Sequence, residues 1–229
     1  MSKMKLALLG SSLILASSSA YAAEISGNVA LASDYVYRGI SQTDEEATIQ
    51  GGFDVAAESG LYAGVWASNI AFDGSIEIDI YAGFSGEFSE RLGFDVGVLH
   101  YDYPNDAGPN DSSFEEIYGS LSYKDLTLGV AYSSDFFLES GTATYIYIDY
   151  SVSLPNEFGL DFHYANQSIS DNETFGTPDY AEYSVGITRT VLDVDFSLTW
   201  YDTDLSSDDC FGGSDLCEAR VVFGLSKSL

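Results

Sequence analysis

The sequence predicts an all-β protein, an antiparallel transmembrane β-barrel of about twelve strands. Three observations predict it. Apolar residues recur at every second position through most of the chain, which is the period of a half-exposed strand and not of a helix. The connections between these runs are alternately short and long, as in a barrel with tight turns at one rim and loops at the other. The N-terminus reads as an export leader, which gives such a barrel a route out of the cytoplasm.

The leader is the first element. Lys3 and Lys5 form a basic start, an apolar run covers 6–16, and small residues end in Ala20-Tyr21-Ala22. That order makes 1–22 a signal peptide and leaves 23–229 for the barrel. The apolar run is shorter than the roughly 20 residues a helix needs to span a bilayer, and no later segment is long enough. A mean hydropathy of +0.02 is no objection to a membrane barrel, whose strands hide their apolar face at alternate positions.

Charge and composition exclude several classes. The chain has 8 Lys+Arg against 36 Asp+Glu. Such a surface repels nucleic acid and has no affinity for anionic lipid as a peripheral protein. An acidic chain is often disordered, but 14% aromatic and 45% hydrophobic residues are too many for that. The aromatic residues are mostly Tyr and Phe, 17 and 14 against two Trp, which suits strands and interfacial belts.

The strands follow in order. The first, 24–40, runs to the polar stretch 41–46. The pair 47–57 and 61–71 is joined by Glu58-Ser59-Gly60. After Phe72-Asp73-Gly74 comes 75–87, where Ile76, Ile78, Ile80, Ala82 and Phe84 alternate with Glu77, Asp79, Tyr81, Gly83 and Ser85. Ser89-Glu90 leads to 91–103, the loop 104–112 to 113–123, and Lys124-Asp125 to 125–134. The loop 135–141 precedes 142–154, and Pro155-Asn156-Glu157 precedes 158–167, where Phe158, Leu160, Phe162 and Tyr164 share a face. The loop 168–179 precedes 180–190. Thr190-Val191 then leads to 192–202, where Leu192, Val194, Phe196, Leu198 and Trp200 oppose Asp193, Asp195, Ser197, Thr199 and Tyr201. The loop 203–217 precedes 218–229. The even count puts both chain ends at one rim, and a soluble sandwich has no reason to gather its long loops at one end.

Several stretches carry a resemblance. They are 33–43 (Ser-Asp-Tyr-Val-Tyr-Arg-Gly-Ile-Ser-Gln-Thr), 60–69 (Gly-Leu-Tyr-Ala-Gly-Val-Trp-Ala-Ser-Asn), 77–83, Tyr101-Asp102-Tyr103-Pro104, and 220–228. Together they resemble the proteobacterial family called Gcw_chp, described as outer-membrane proteins of unknown function. The resemblance implies a barrel and a location in the bacterial outer membrane. It implies no activity and brings no catalytic residues.

The candidate site is the inward row. With apolar residues toward lipid, the lumen receives Asp34, Arg38, Asp54, Glu77, Asp79, Asp193, Asp195 and Arg220, among others. Acids at mid-depth facing lipid would be costly, and an acidic lumen favours cations. Arg38 and Arg220 fall on the first and last strands. They read either as a clamp for an anionic group or as structural ion pairs with Asp34, Glu77 or Asp79. Cys210 and Cys217, in an exported Gly/Ser/Asp-rich stretch, are expected to form a disulfide. Neither a cofactor nor a metal site is indicated: the acidic residues of 202–215 lack the spacing of an EF-hand loop. Nor is an enzyme, with two histidines and no G-x-S-x-G motif.

The expectation is an integral outer-membrane barrel, read as a narrow channel for small or cationic solutes. Its partners would be outer-membrane lipid, lipopolysaccharide and divalent cations, with no role for nucleic acid. Two alternatives stay open: a non-conducting surface barrel with a binding or envelope-structural role, and a soluble periplasmic β protein.

Overall fold

The computed structural model describes residues 23–72, 75–104, 106 and 108–229. The expected leader and its cleavage point lie outside the described residues.

Twelve strands form one closed antiparallel barrel. They are β1 (Glu24–Ala32), β4 (Thr48–Ala56), β5 (Leu61–Asn69), β6 (Ile76–Ser89), β7 (Leu92–Asp102) and β8 (Phe114–Tyr123), followed by β9 (Leu126–Ser133), β10 (Ala143–Ser153), β11 (Phe158–Ile169), β12 (Tyr180–Val191), β13 (Val194–Thr203) and β14 (Arg220–Ser228). Each pairs with its neighbour along the chain. The last pairs with the first, from Asn28 opposite Ser228 to Ala32 opposite Gly224, so the sheet has no free edge. Two short strands, β2 (Val36–Tyr37) and β3 (Ile40–Ser41), form a separate hairpin inside the first loop.

The apolar rows point outward. Leu31, Phe53, Val65, Ile80, Val98, Ile117, Leu128, Ile146, Phe162, Ile187, Leu198 and Phe223 are all exposed, one on every wall strand. An unbroken apolar belt of this kind far exceeds the few hundred Å² that a water-soluble monomer presents, so its solvent is lipid and the soluble alternative falls away. The buried residues cluster instead at the loop end of the interior, where Ile40, Tyr101, Phe114, Phe136, Phe175, Tyr180 and the two cysteines pack together.

Three expected boundaries move. The first strand stops at Ala32, not near 40, because Asp34 turns the chain: its carboxylate accepts from the hydroxyls of Ser41 and Thr43, both at 2.7 Å. Arg38 (φ 46°) and Gly39 (φ 79°) then close the β2–β3 turn, a positive-φ pair suited to a two-residue hairpin. The turn expected at Thr190-Val191 lies at Leu192-Asp193, with φ of 53° and 59°. The turn expected at Ser89-Glu90 lies at Glu90-Arg91, since β6 runs on to Ser89.

Candidate functional site

The lumen has two halves of different character. In the half near the tight turns, the inward side chains are polar and partly exposed, among them Asn28, Asp54, Asp95, Ser120, Asp149, Asp161 and Thr199. In the half near the loops they are buried, among them Thr48, Ser68, Glu77, Asp79, Glu116, Gln167 and Glu182. The lumen is therefore a polar vestibule that is wet at one end and filled at the other.

The filling is the first loop. The β2–β3 hairpin touches inward residues of strands from one side of the barrel to the other. Tyr35 donates to Glu77 on β6 at 2.7 Å and packs edge-on against Trp66 on β5. The hydroxyl of Tyr37 meets that of Tyr101 on β7 at 3.1 Å. A Cβ on Gly39 would crowd Thr203 and Glu182, on β13 and β12. The hairpin thus lies across the lumen and plugs it.

Arg38 sits at the tip of the plug. Its Nη2 donates to both carboxylate oxygens of Glu116 on β8, at 2.8 and 2.7 Å, and its Nη1 donates to Gln167 Oε1 on β11 at 2.8 Å. The guanidinium carbon lies 4.1 Å from the ring centre of Tyr145 on β10. Burial opposes the charge of Arg38, and direct pairing with the carboxylate of Glu116 offsets that cost. The base of the plug has its own ion pair. Arg220, at the start of β14, contacts Asp34 at 3.1 Å and Glu45 at 3.2 Å.

The eight expected lumen residues thus fall into different places. Glu77 and Asp79 lie buried on β6, and Asp54 and Asp195 lie on the inward rows of β4 and β13 toward the turn end. Asp34 and Arg38 belong to the plug and not to the first strand. Asp193 is a turn residue, outside the strand row that the alternation gave it. Arg220 is at the loop-end rim. Cys210 and Cys217 are disulfide-bonded and fully buried beneath the loops. Among the described residues, no group of three or more His, Cys, Asp or Glu is arranged to hold a metal ion.

Sequence reasoning missed the tyrosines. Tyr62 donates to Asp95 at 2.6 Å and meets Tyr118 at 2.6 Å, and Tyr81 donates to Asp54. Tyr145 bonds both Glu182 and His163 Nε2, while His163 Nδ1 contacts Asp149 at 2.5 Å. These rings lie flat on the wall over glycines of adjacent strands: Tyr81 over Gly64, Tyr62 over Gly83, Tyr118 over Gly97 and Tyr147 over Gly129. The signal was present in the sequence as Tyr and Gly sharing the polar face of the alternation. It needs the strand register to be read.

The comparisons with known proteins agree with this architecture. A family model described as a bacterial protein of unknown function (Gcw_chp) matches residues 16–229. No curated protein matches the chain. Among solved structures, the fold is similar to that of the KdgM porin, with a TM-score of 0.58 at 10% identity, covering 89% of this chain and 99% of that one. It is also similar to that of the NanC porin, with a TM-score of 0.53 at 11% identity, covering 89% of this chain and 98% of that one. At such identities the likeness is one of fold.

Proposed function

Since the chain belongs to the Gcw_chp family, a bacterial family of unknown function, we propose its role from the barrel itself: a narrow outer-membrane channel for small cationic solutes, closed here at its outer end. The observation that carries this reading is the nature of the closure. The lumen is blocked by a hairpin that belongs to a sheet separate from the wall, whereas the vestibule behind it is polar and wet. A scaffold with no transport role would need neither.

The lining sets the preference for charge. Asp54, Asp95, Asp149, Asp161 and Asp195 line the vestibule. Among the described residues, the guanidinium groups that reach the lumen are those of Arg38 at the plug tip and Arg220 at the loop-end rim, each already paired with carboxylates. The field of a pore is focused by its low-dielectric wall, so this excess favours cations. Export through a cleaved leader at 1–22, and contact of the acidic loop rim with lipopolysaccharide through divalent cations, belong with the same reading. The reading is of a channel and not of an enzyme, because both nitrogens of His163 are engaged by Asp149 and Tyr145 in a wall network.

The test is conductance in a planar bilayer under a potassium chloride gradient. The wild type should conduct rarely, and Arg38→Ala should open several-fold more often. The reversal potential should report cation preference that weakens at high salt, where screening shortens the reach of the carboxylates, and that falls further in Glu77→Gln/Asp79→Asn. Anion preference, or no conductance in either protein, would overturn the proposal.

A further inference from the structure

We infer that the acceptor set holding Arg38 is a binding site for guanidinium-bearing solutes, which the plug occupies in place of the solute. The inference rests on the channel reading and names its substrate class.

Apart from Arg38, the site is built on the wall. Glu116 presents both oxygens to one guanidinium nitrogen, and the hydroxyl of Tyr101 reaches Glu116 at 3.3 Å. Gln167 presents its carbonyl oxygen because its own amide donates to Ser168 O at 3.3 Å. Tyr145 supplies a ring face, and its hydroxyl is tied to His163 and Glu182. These groups stand on β8, β11 and β10 and are held by partners other than Arg38. A planar, forked cation satisfies such a set, and a compact ammonium does not.

The cation itself is delivered by a segment that is not part of the wall sheet. The plug pairs only with itself as a sheet, and its backbone is tied to the rest of the chain at a few points: Ser41 N to Leu216 O, Ala71 N to Gln42 O, and the hydroxyl of Tyr180 on β12 to Arg38 O at 3.0 Å. Withdrawal of Arg38 would leave Glu116, whose side chain is 3% exposed, as a buried and unpaired charge, so an empty open state is strongly disfavoured. A solute that carries the same group removes that penalty. It binds the open state and not the closed one, and therefore shifts the population toward opening.

A second acceptor stands beside this set. Asp79, opposite Tyr101 in the sheet, is buried, and its Oδ1 has no hydrogen-bond partner among the described residues. The plug thus leaves one buried acceptor oxygen without a hydrogen bond, next to the Tyr101 that reaches the carboxylate it does satisfy.

Chemical rescue tests the site without requiring conduction. Arg38→Ala, checked for folding by its heat-modifiable gel migration, should unfold at a lower temperature than the wild type. Methylguanidinium should restore the lost stability at concentrations about tenfold lower than methylammonium, the margin expected of a forked over a point-charge donor. Arg38→Ala/Glu116→Gln should show no rescue. Equal effects of the two cations, or rescue that survives Glu116→Gln, would overturn the inference. Bilayer recordings separate this from the channel reading. Methylguanidinium should open the wild type more often than potassium or methylammonium does. Conduction without that difference defeats the site and leaves the channel standing, whereas rescue without conduction supports the site and defeats the channel.

Discussion

Gly129 and Tyr147 show how single residues shape the lumen. They face each other on β9 and β10, and a Cβ on Gly129 would overlap the Tyr147 ring. Glycine is required there because the ring lies against the backbone. Larger residues in packed sites typically cost about 1–3 kcal/mol. Gly129→Ala should therefore lower the urea midpoint by that order, and the loss should largely vanish in a Tyr147→Ala background, where no ring needs the space. Additive losses in the double-mutant cycle would mean that the two residues do not interact. Arg38 is the opposite case. Its importance lies not in shape but in a charge held by acceptors on two strands.

At the scale of elements, the outer loops behave as one body. The disulfide joins Cys210 to Cys217 within a short loop. The carbonyl of Cys217 accepts from Thr203 at 2.9 Å, and that of Leu216 accepts from the plug at Ser41 N, also at 2.9 Å. A four-residue helix, α1 (Asn172–Phe175), packs Phe175 against Phe211 of the same loop. Its cap is Asp171, whose carboxyl is held below the usual carboxylate range by the backbone N–H and hydroxyl of Thr174. Closing so short a loop confines only its own residues, by about 2–3 kcal/mol of chain entropy in the simple model. Cys210→Ser/Cys217→Ser should thus leave the heat-modifiable barrel intact while making the loop 204–219 protease-sensitive and the closed state leaky. Unchanged proteolysis and unchanged closure would show that the loop does not brace the plug.

For the molecule as a whole, the relevant solvent is lipid outside and water at one end inside. The exposed apolar belt would drive aggregation in water, so the protein should need detergent for recovery and migrate differently in gels before and after heating. Recovery as a detergent-free monomer would refute the spanning barrel. The proposed orientation puts the loops outside the cell. A tag inserted in 104–112 should be accessible on intact cells, and one at Lys124-Asp125 should not. The reverse result would turn the barrel over and place the plug at the periplasmic mouth.

The alternation of apolar residues and the spacing of connections were enough, without any structure, to read a twelve-stranded antiparallel barrel, because both are properties of neighbours along the chain. The pairing of Cys210 with Cys217 was legible for a simpler reason: the chain has no other cysteine. The same local pattern also separates the two faces of β6, where Glu77 and Asp79 alternate with Ile76, Ile78 and Ile80. It could not show that the first run leaves the wall at Ala32. Residues 34–41 continue the run with strand-forming Tyr35, Val36, Tyr37 and Ile40, and their departure depends on partners supplied from across the barrel. Glu116 lies 78 positions from Arg38 and Gln167 lies 129 positions away. Only closure of the barrel brings these groups to one depth, and only their convergence makes a buried arginine there more stable than a longer strand.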